Sequence, residues 1–162
     1  MPSISTQRLI VRALLSLPSS LLRLLAGGGV VYRGGRTLDP RLQFLAAGAA
    51  RAPAMTTMSP EEARRANTQG LAALSGSPEP GVRAEPVSIP NDTGAIPARL
   101  YRPEGQDPAA ALMVFAHFGG GVIGDLETCD AFCGILAKIA RCPVLSVEYR
   151  LAPEHRFPAG LE

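Results

Sequence analysis

The chain contains no tryptophan, only one lysine, Lys138, and only two histidines, His117 and His155. Its five phenylalanines and three tyrosines are scattered over 162 residues, so it lacks the aromatic platform on which nucleic-acid bases stack. A net charge of +2 and the lack of a lysine-rich tail remove the other footprint of a nucleic-acid binder, and no such partner is expected. The cysteines, Cys129, Cys133 and Cys142, are odd in number and form no CxxC pair. Cys129 and Cys133, four apart, share a helical face, but the plain reading is small half-buried thiols in a reducing compartment. Neither a metal nor a cofactor is expected, and the location expected is cytoplasmic. No apolar run reaches the length of a membrane span: RLIVRALLSLPSSLLRLLAGGG is cut by Arg12, Pro18 and Arg23. Arg12 also splits what would be the apolar heart of a signal peptide. Acidic residues are missing from positions 1–38, where Arg8, Arg12, Arg23, Arg33 and Arg36 carry the charge.

What remains has the texture of a folded domain, with 46% hydrophobic and 19% charged residues. Residues 1–76 read as helical. Ile10, Leu14 and Leu17 recur at helical spacing, and Pro18 suits the first turn of a second short helix that Gly27 ends. A basic amphipathic helix of this kind can lie on an anionic membrane surface or cover an apolar groove of its own protein, the second being the commoner use. Residues 1–26 are accordingly read as offering a weak membrane-surface contact at most. SPEE at Ser59–Glu62 is a capping box opening a helix through Ala63, Ala66, Leu71 and Leu74. SGSPEPG, Ser75–Gly81, is a breaker cluster and the expected boundary.

From Val82 the pattern is strand-like. VRAEPVSIP and AIPARLY, separated by NDTG, predict a hairpin. AALMVFA is the kind of continuous apolar run found in a strand buried on both faces. DLETCDAFCGILAKIAR predicts a helix, and PVLSVEYR a further strand parallel to the first apolar one. No internal repeat is present, and nothing in the pattern sets an oligomeric state.

Four glycines, Gly119, Gly120, Gly121 and Gly124, then fall at the carboxyl end of a parallel strand, where α/β sheets bind ligands. They satisfy GxGxxG, and Glu148 follows at dinucleotide-binding distance. However, the bulky His117–Phe118 pair precedes the turn, and Asp125 and Glu127 would repel a diphosphate from the helix start, so a dinucleotide-binding domain is the remote alternative. The same backbone suits an oxyanion hole, because glycine amides can approach a reacting carbonyl at dihedrals other residues avoid. In that reading Asp125 and Glu127 lie past the loop and cap the helix they begin.

The segments HFGGGVIGDLETCD, Ile139–Glu148 and above all YRLAPEHRFPA, Tyr149–Ala159, resemble the hormone-sensitive-lipase family of α/β-hydrolases, the bacterial esterases and lipases with an HGGG motif. The resemblance is clear from about Val82 onward. GGRTLDPRLQFL and MSPEEAR are similar, more weakly, to the family's N-terminal cap helices. The fold so implied is α/β, the N-terminal half of an α/β-hydrolase with a mixed, mostly parallel sheet behind helical cap segments. Residues 1–80 would be the helical cap region and 81–162 an incomplete hydrolase core.

The implied activity is carboxylic-ester hydrolysis on a small-molecule acyl ester. By the same resemblance Gly119 and Gly120 supply oxyanion-hole amides. Phe118 stands where the family has its first glycine, and Gly121 where it has an aromatic residue. His117 is implied to support the loop and not to be the triad base, since in this fold the order is serine, acid, histidine. His155 reads as a surface or packing residue, and Arg150, Glu148 and Glu154 as a structural ion-pair group. No GxSxG occurs. Nucleophile, acid and base would follow Glu162, so the chain is expected to be a truncated, inactive esterase. The alternative is a non-catalytic module that binds a partner or a membrane surface.

Overall fold

The structure is a computed structural model describing residues 3–92 and 94–162. Thr93 of the NDTG turn, and residues 1 and 2, lie outside the described residues. The chain forms two compact units, one ending at Ser59 and the other spanning Pro60–Glu162. The SPEE helix, read above with the helical region, therefore groups with the sheet.

In the first unit, helix α1 (Ile4–Leu15) starts at Ser3, whose hydroxyl accepts the Thr6 amide at 3.2 Å. Pro18 precedes α2 (Ser19–Leu25), and Gly28 closes it by donating its amide to the Arg23 carbonyl at 2.8 Å. A two-residue turn, Gly34–Gly35, joins the short strands β1 (Tyr32–Arg33) and β2 (Arg36–Thr37). Helix α3 (Pro40–Arg51) begins with proline, and the Asp39 carboxylate accepts the Arg41 amide at 2.8 Å. Among the described residues of this unit, Leu22 is the one large apolar side chain that is fully buried.

The second unit opens with α4 (Pro60–Leu74), the helix predicted from SPEE. The predicted hairpin follows as β3 (Val82–Ile89) and β4 (Ile96–Pro103), paired antiparallel from Val82↔Pro103 to Ile89↔Ile96. Strand β5 (Met113–Ala116), α5 (Asp130–Ala140) and β6 (Val144–Val147) complete it. The sheet order is β3-β4-β6-β5, with β4–β6 antiparallel and β5–β6 parallel from Met113↔Val144 to Ala116↔Val147. A parallel pair joined by a helix is what the strand–helix–strand pattern predicts.

The core lies where α5 meets the sheet. Tyr101, Cys129, Cys133, Ala137 and Val144 are buried together, with Val82, Met113, Phe115 and Leu136 packed around them. Two expectations change here. Cys129 and Cys133 are fully rather than half buried, and burial pushes the Cys133 thiol up to about 11, which makes it inert. Strand β5 is covered on one face only among the described residues: α5 lies over Met113 and Phe115, while Val114 is 65% exposed. A continuous apolar run records that both faces suit burial; it does not say which elements supply the cover.

Among the described residues β5 pairs with β6 alone, so its outer edge presents free amides and carbonyls on an apolar strand. Such an edge templates association. Light scattering across a concentration series should show self-association of the chain. Val114→Lys, which adds a charge to the exposed face, should shift it toward monomer without lowering the melting temperature.

Candidate active site

The glycine loop leaves the carboxyl end of β5 and turns back on itself. The amides of Val122 and Ile123 both donate to the Gly119 carbonyl at 3.1 Å. Gly119 (φ +140°) and Gly124 (φ +103°) sit in backbone regions that L side chains avoid, and the space beside each is occupied. A Cβ on Gly119 would fall on the Ile123 carbonyl oxygen, and one on Gly124 on the His117 ring. Gly120 (φ +62°) and Gly121 (φ +71°) are different: each has open space on its Cα side. The amides of Gly119, Gly120 and Gly121 find no acceptor among the described residues.

Three contacts hold this loop from the YRLAPE segment and from α4. The Tyr149 hydroxyl donates to the His117 carbonyl at 2.7 Å, and its ring stacks on the imidazole with centroids 4.3 Å apart. The Ala152 amide donates to the Gly121 carbonyl at 2.8 Å. The Arg64 guanidinium spans both segments: Nε donates to the Val122 carbonyl and Nη2 to the Ala152 carbonyl, each at 2.8 Å. It also grips the Glu154 carboxylate at 3.0 and 2.7 Å. That hydrogen-bonded pairing raises the Arg64 pKa and draws Glu154 down to about 2.

His117 is 3% exposed. Its Nδ1 lies 3.1 Å from the Phe118 carbonyl, which can only accept, so this nitrogen carries a proton. Nε2 is buried and meets no partner among the described residues. His155 is exposed at the cleft wall, and Phe118 is exposed.

Beyond the loop, Asp125 caps a turn and not a helix. Its carboxylate accepts the Thr128 amide and hydroxyl, both at 2.7 Å, and the Thr68 hydroxyl at 2.6 Å. Burial alone would push the Asp125 carboxyl up; these donors outweigh it and hold the carboxyl below its ordinary value. The helix expected to begin at Asp125 begins at Asp130, after Cys129, because the side chain that could cap it is spent on this earlier turn. Glu127 instead pairs with Arg99, which also reaches Asp130 at 2.6 Å.

The expected ion-pair group of Glu148, Arg150 and Glu154 does not form. Glu148 accepts the Leu126 amide at 2.8 Å, Arg150 donates to the Ala159 carbonyl at 2.9 Å, and Glu154 belongs to Arg64. Their close sequence spacing concealed three separate directions.

A cleft of about 300 Å³ opens against the loop, lined by Gly120, Gly121, Tyr149, Ala152, His155 and Phe157 among others. Of the two glycines singled out from the sequence, Gly120 borders this cleft. Gly119 is the hinge packed against Ile123.

Residues 113–162, which contain β5, the glycine loop, α5, β6 and the YRLAPE segment, match the profile of the alpha/beta hydrolase fold. The chain is also 39% identical over 155 residues to the carboxylic ester hydrolase LipN of Mycobacterium tuberculosis (strain ATCC 25618 / H37Rv), covering 94% of this chain and 41% of LipN. The chain carries part of the α/β-hydrolase fold. An ethyl acetate hydrolase of Pseudomonas putida is 38% identical over 124 residues, covering 74% of the chain and 39% of that enzyme. Among solved structures, the ester-hydrolase EH1AB1 from the metagenome of Lake Arreo superposes with a TM-score of 0.63 at 31% identity, covering 90% of the chain and 41% of EH1AB1. An esterase of Pyrobaculum calidifontis superposes at 0.58 with 37% identity, covering 66% and 35%. The chain thus spans about two-fifths of the length of the relatives it matches.

The residue missed in the sequence is Arg64. It sits four residues into a helix whose capping box drew attention to its start, and nothing in its spacing links it to carbonyls 58 and 88 residues away.

Two outcomes test the geometry. Gly124→Ala places a methyl on the His117 ring at a strained dihedral and should cost at least about 2 kcal/mol in a urea melt. Gly120→Ala has room and should cost only about 1 kcal/mol of left-handed strain. The Glu154 pKa is depressed, so its link to Arg64 is at full strength above the ordinary 4.5 and is lost as pH falls toward 2. Following the Glu154 carboxyl by NMR should show that low midpoint, and Arg64→Met should return it to the ordinary range.

Proposed function

We propose that this chain supplies the oxyanion-stabilising loop of a carboxylic-ester hydrolase acting on small-molecule acyl esters. The observation that carries the reading is the set of unpaired glycine amides at the end of β5, with Gly120 on the wall of a cleft. Adjacent main-chain donors held in advance at such a place stabilise a developing oxyanion without reorganising during the reaction. Gly119 and Gly120 are the donors. His117 supports them from below, buried and stacked on Tyr149, and is not the base. The hydrolase relatives LipN and ethyl acetate hydrolase support an ester as the substrate class. Three free thiols go with a reducing, cytoplasmic setting.

The sequence holds no GxSxG, the turn that presents the nucleophilic serine in this fold. The chain by itself should neither turn over a p-nitrophenyl acyl ester nor take up a fluorophosphonate probe. Its loop can be tested by grafting the chain in place of the matching part of LipN. The hybrid should hydrolyse the ester, and Gly120→Ala, which keeps the amide, should retain most of that rate. Gly120→Pro deletes the donor and cannot adopt φ +62°, so it should lose at least about 10²–10³ in kcat. Equal rates for the proline and alanine forms would remove Gly120 from this role.

A further inference from the structure

We propose that the unit ending at Ser59 docks on an anionic lipid surface through its exposed leucines and arginines. Charge is the first observation. This unit holds seven arginines, no lysine and one acid, Asp39, whereas Pro60–Glu162 holds nine basic residues and thirteen acids. The one acid is engaged as the cap of α3, with the Arg41 guanidinium 3.9 Å away. The positive field of the unit is therefore not cancelled within it.

Apolar exposure is the second. On α1 no residue is fully buried, and Ile4, Leu9 and Ile10 are 51%, 70% and 49% exposed. On α2, Leu22 alone turns inward. Leu21, Leu24 and Leu25, spaced three and four apart, lie together and are exposed, Leu24 to 69%. Leucines beside arginines on short helices are the composition of a segment that lies in the plane of a membrane interface.

The third observation is independent of the helices. In the β1–β2 hairpin, Arg33 and Arg36 are direct cross-strand partners, both exposed, next to an exposed Tyr32. Like charges placed opposite each other destabilise a hairpin unless an anion stands between or beneath them. A lipid phosphate is such an anion, and tyrosine is at home at the headgroup level. A nucleic-acid backbone would answer the arginines but give the leucines nothing to bury against.

Co-sedimentation of the whole chain with vesicles decides the matter. The chain should bind mixed phosphatidylcholine–phosphatidylglycerol vesicles, bind pure phosphatidylcholine vesicles on the order of a hundredfold more weakly, and be released by high salt. The triple variant Arg12→Ser, Arg33→Ser, Arg36→Ser should lower the partition coefficient on the order of a hundredfold, roughly fivefold per charge. Leu24→Ser with Leu25→Ser should lower it at least about tenfold. Should the triple variant lose helix by circular dichroism, Arg33→Ser with Arg36→Ser leaves both helices untouched and should still weaken binding about twenty-five-fold. Equal binding to neutral vesicles, absence of binding to either kind, or binding indifferent to the arginines would overturn the proposal. So would self-association that the arginine variants dissolve while no vesicle binding is seen, because the occupant would then be the acidic unit of a second copy.

Discussion

A loop with glycine at four of six positions has almost no conformational preference of its own, and everything functional in the second unit depends on something else holding it. The Arg64 guanidinium is the centre of that support. It is planar, permanently charged and able to donate in several directions at once, so one side chain fixes the Val122 and Ala152 carbonyls and the Glu154 carboxylate together. A lysine at this position would supply a point charge without the fork. The Tyr149 hydroxyl and the Ala152 amide add two further restraints, both onto main-chain carbonyls of the loop. Every one of these contacts on the loop is a donation to a carbonyl oxygen, which leaves the amides of Gly119, Gly120 and Gly121 unpaired among the described residues.

That division of labour explains the surrounding chemistry. The carboxylates near the loop are each engaged before they could approach the amides: Asp125 by Thr68 and Thr128, Glu148 by the Leu126 amide, Glu154 by Arg64. A free carboxylate there would compete with any anion forming at the donors.

Much of this was legible in the sequence, and the reasons are specific. The β3–β4 hairpin announced itself through alternation and a turn, and α4 through Ser59 and Pro60. Strand β5, α5 and β6 appeared as an apolar run, a 3.6-residue period and a second run. The glycine loop could be placed because its position after a strand is a local fact. What remained hidden is non-local. The Arg64 contacts reach across 58 to 90 residues, and Glu148, Arg150 and Glu154 point to three unrelated partners although they are close in sequence. The start of α5 was misplaced by five residues because Asp125 has capping chemistry that a turn and a helix use equally well.

The Tyr149–His117 contact joins residues 32 apart, and the segment that closes it comes after β6 in the chain. Fixing the loop thus requires β5, α5 and β6 to be in register first, since only then does the strand deliver Tyr149 to its acceptor. In kinetic terms the donors belong to the late, non-local part of folding, where loop closure has already been achieved by the sheet. A chain emerging from a ribosome would carry the glycines for some thirty residues of synthesis, an approximate span set by that closure, before they could hold any shape. Substitutions at Tyr149 should consequently leave the folding rate nearly unchanged and accelerate unfolding, the signature of a contact absent from the transition state.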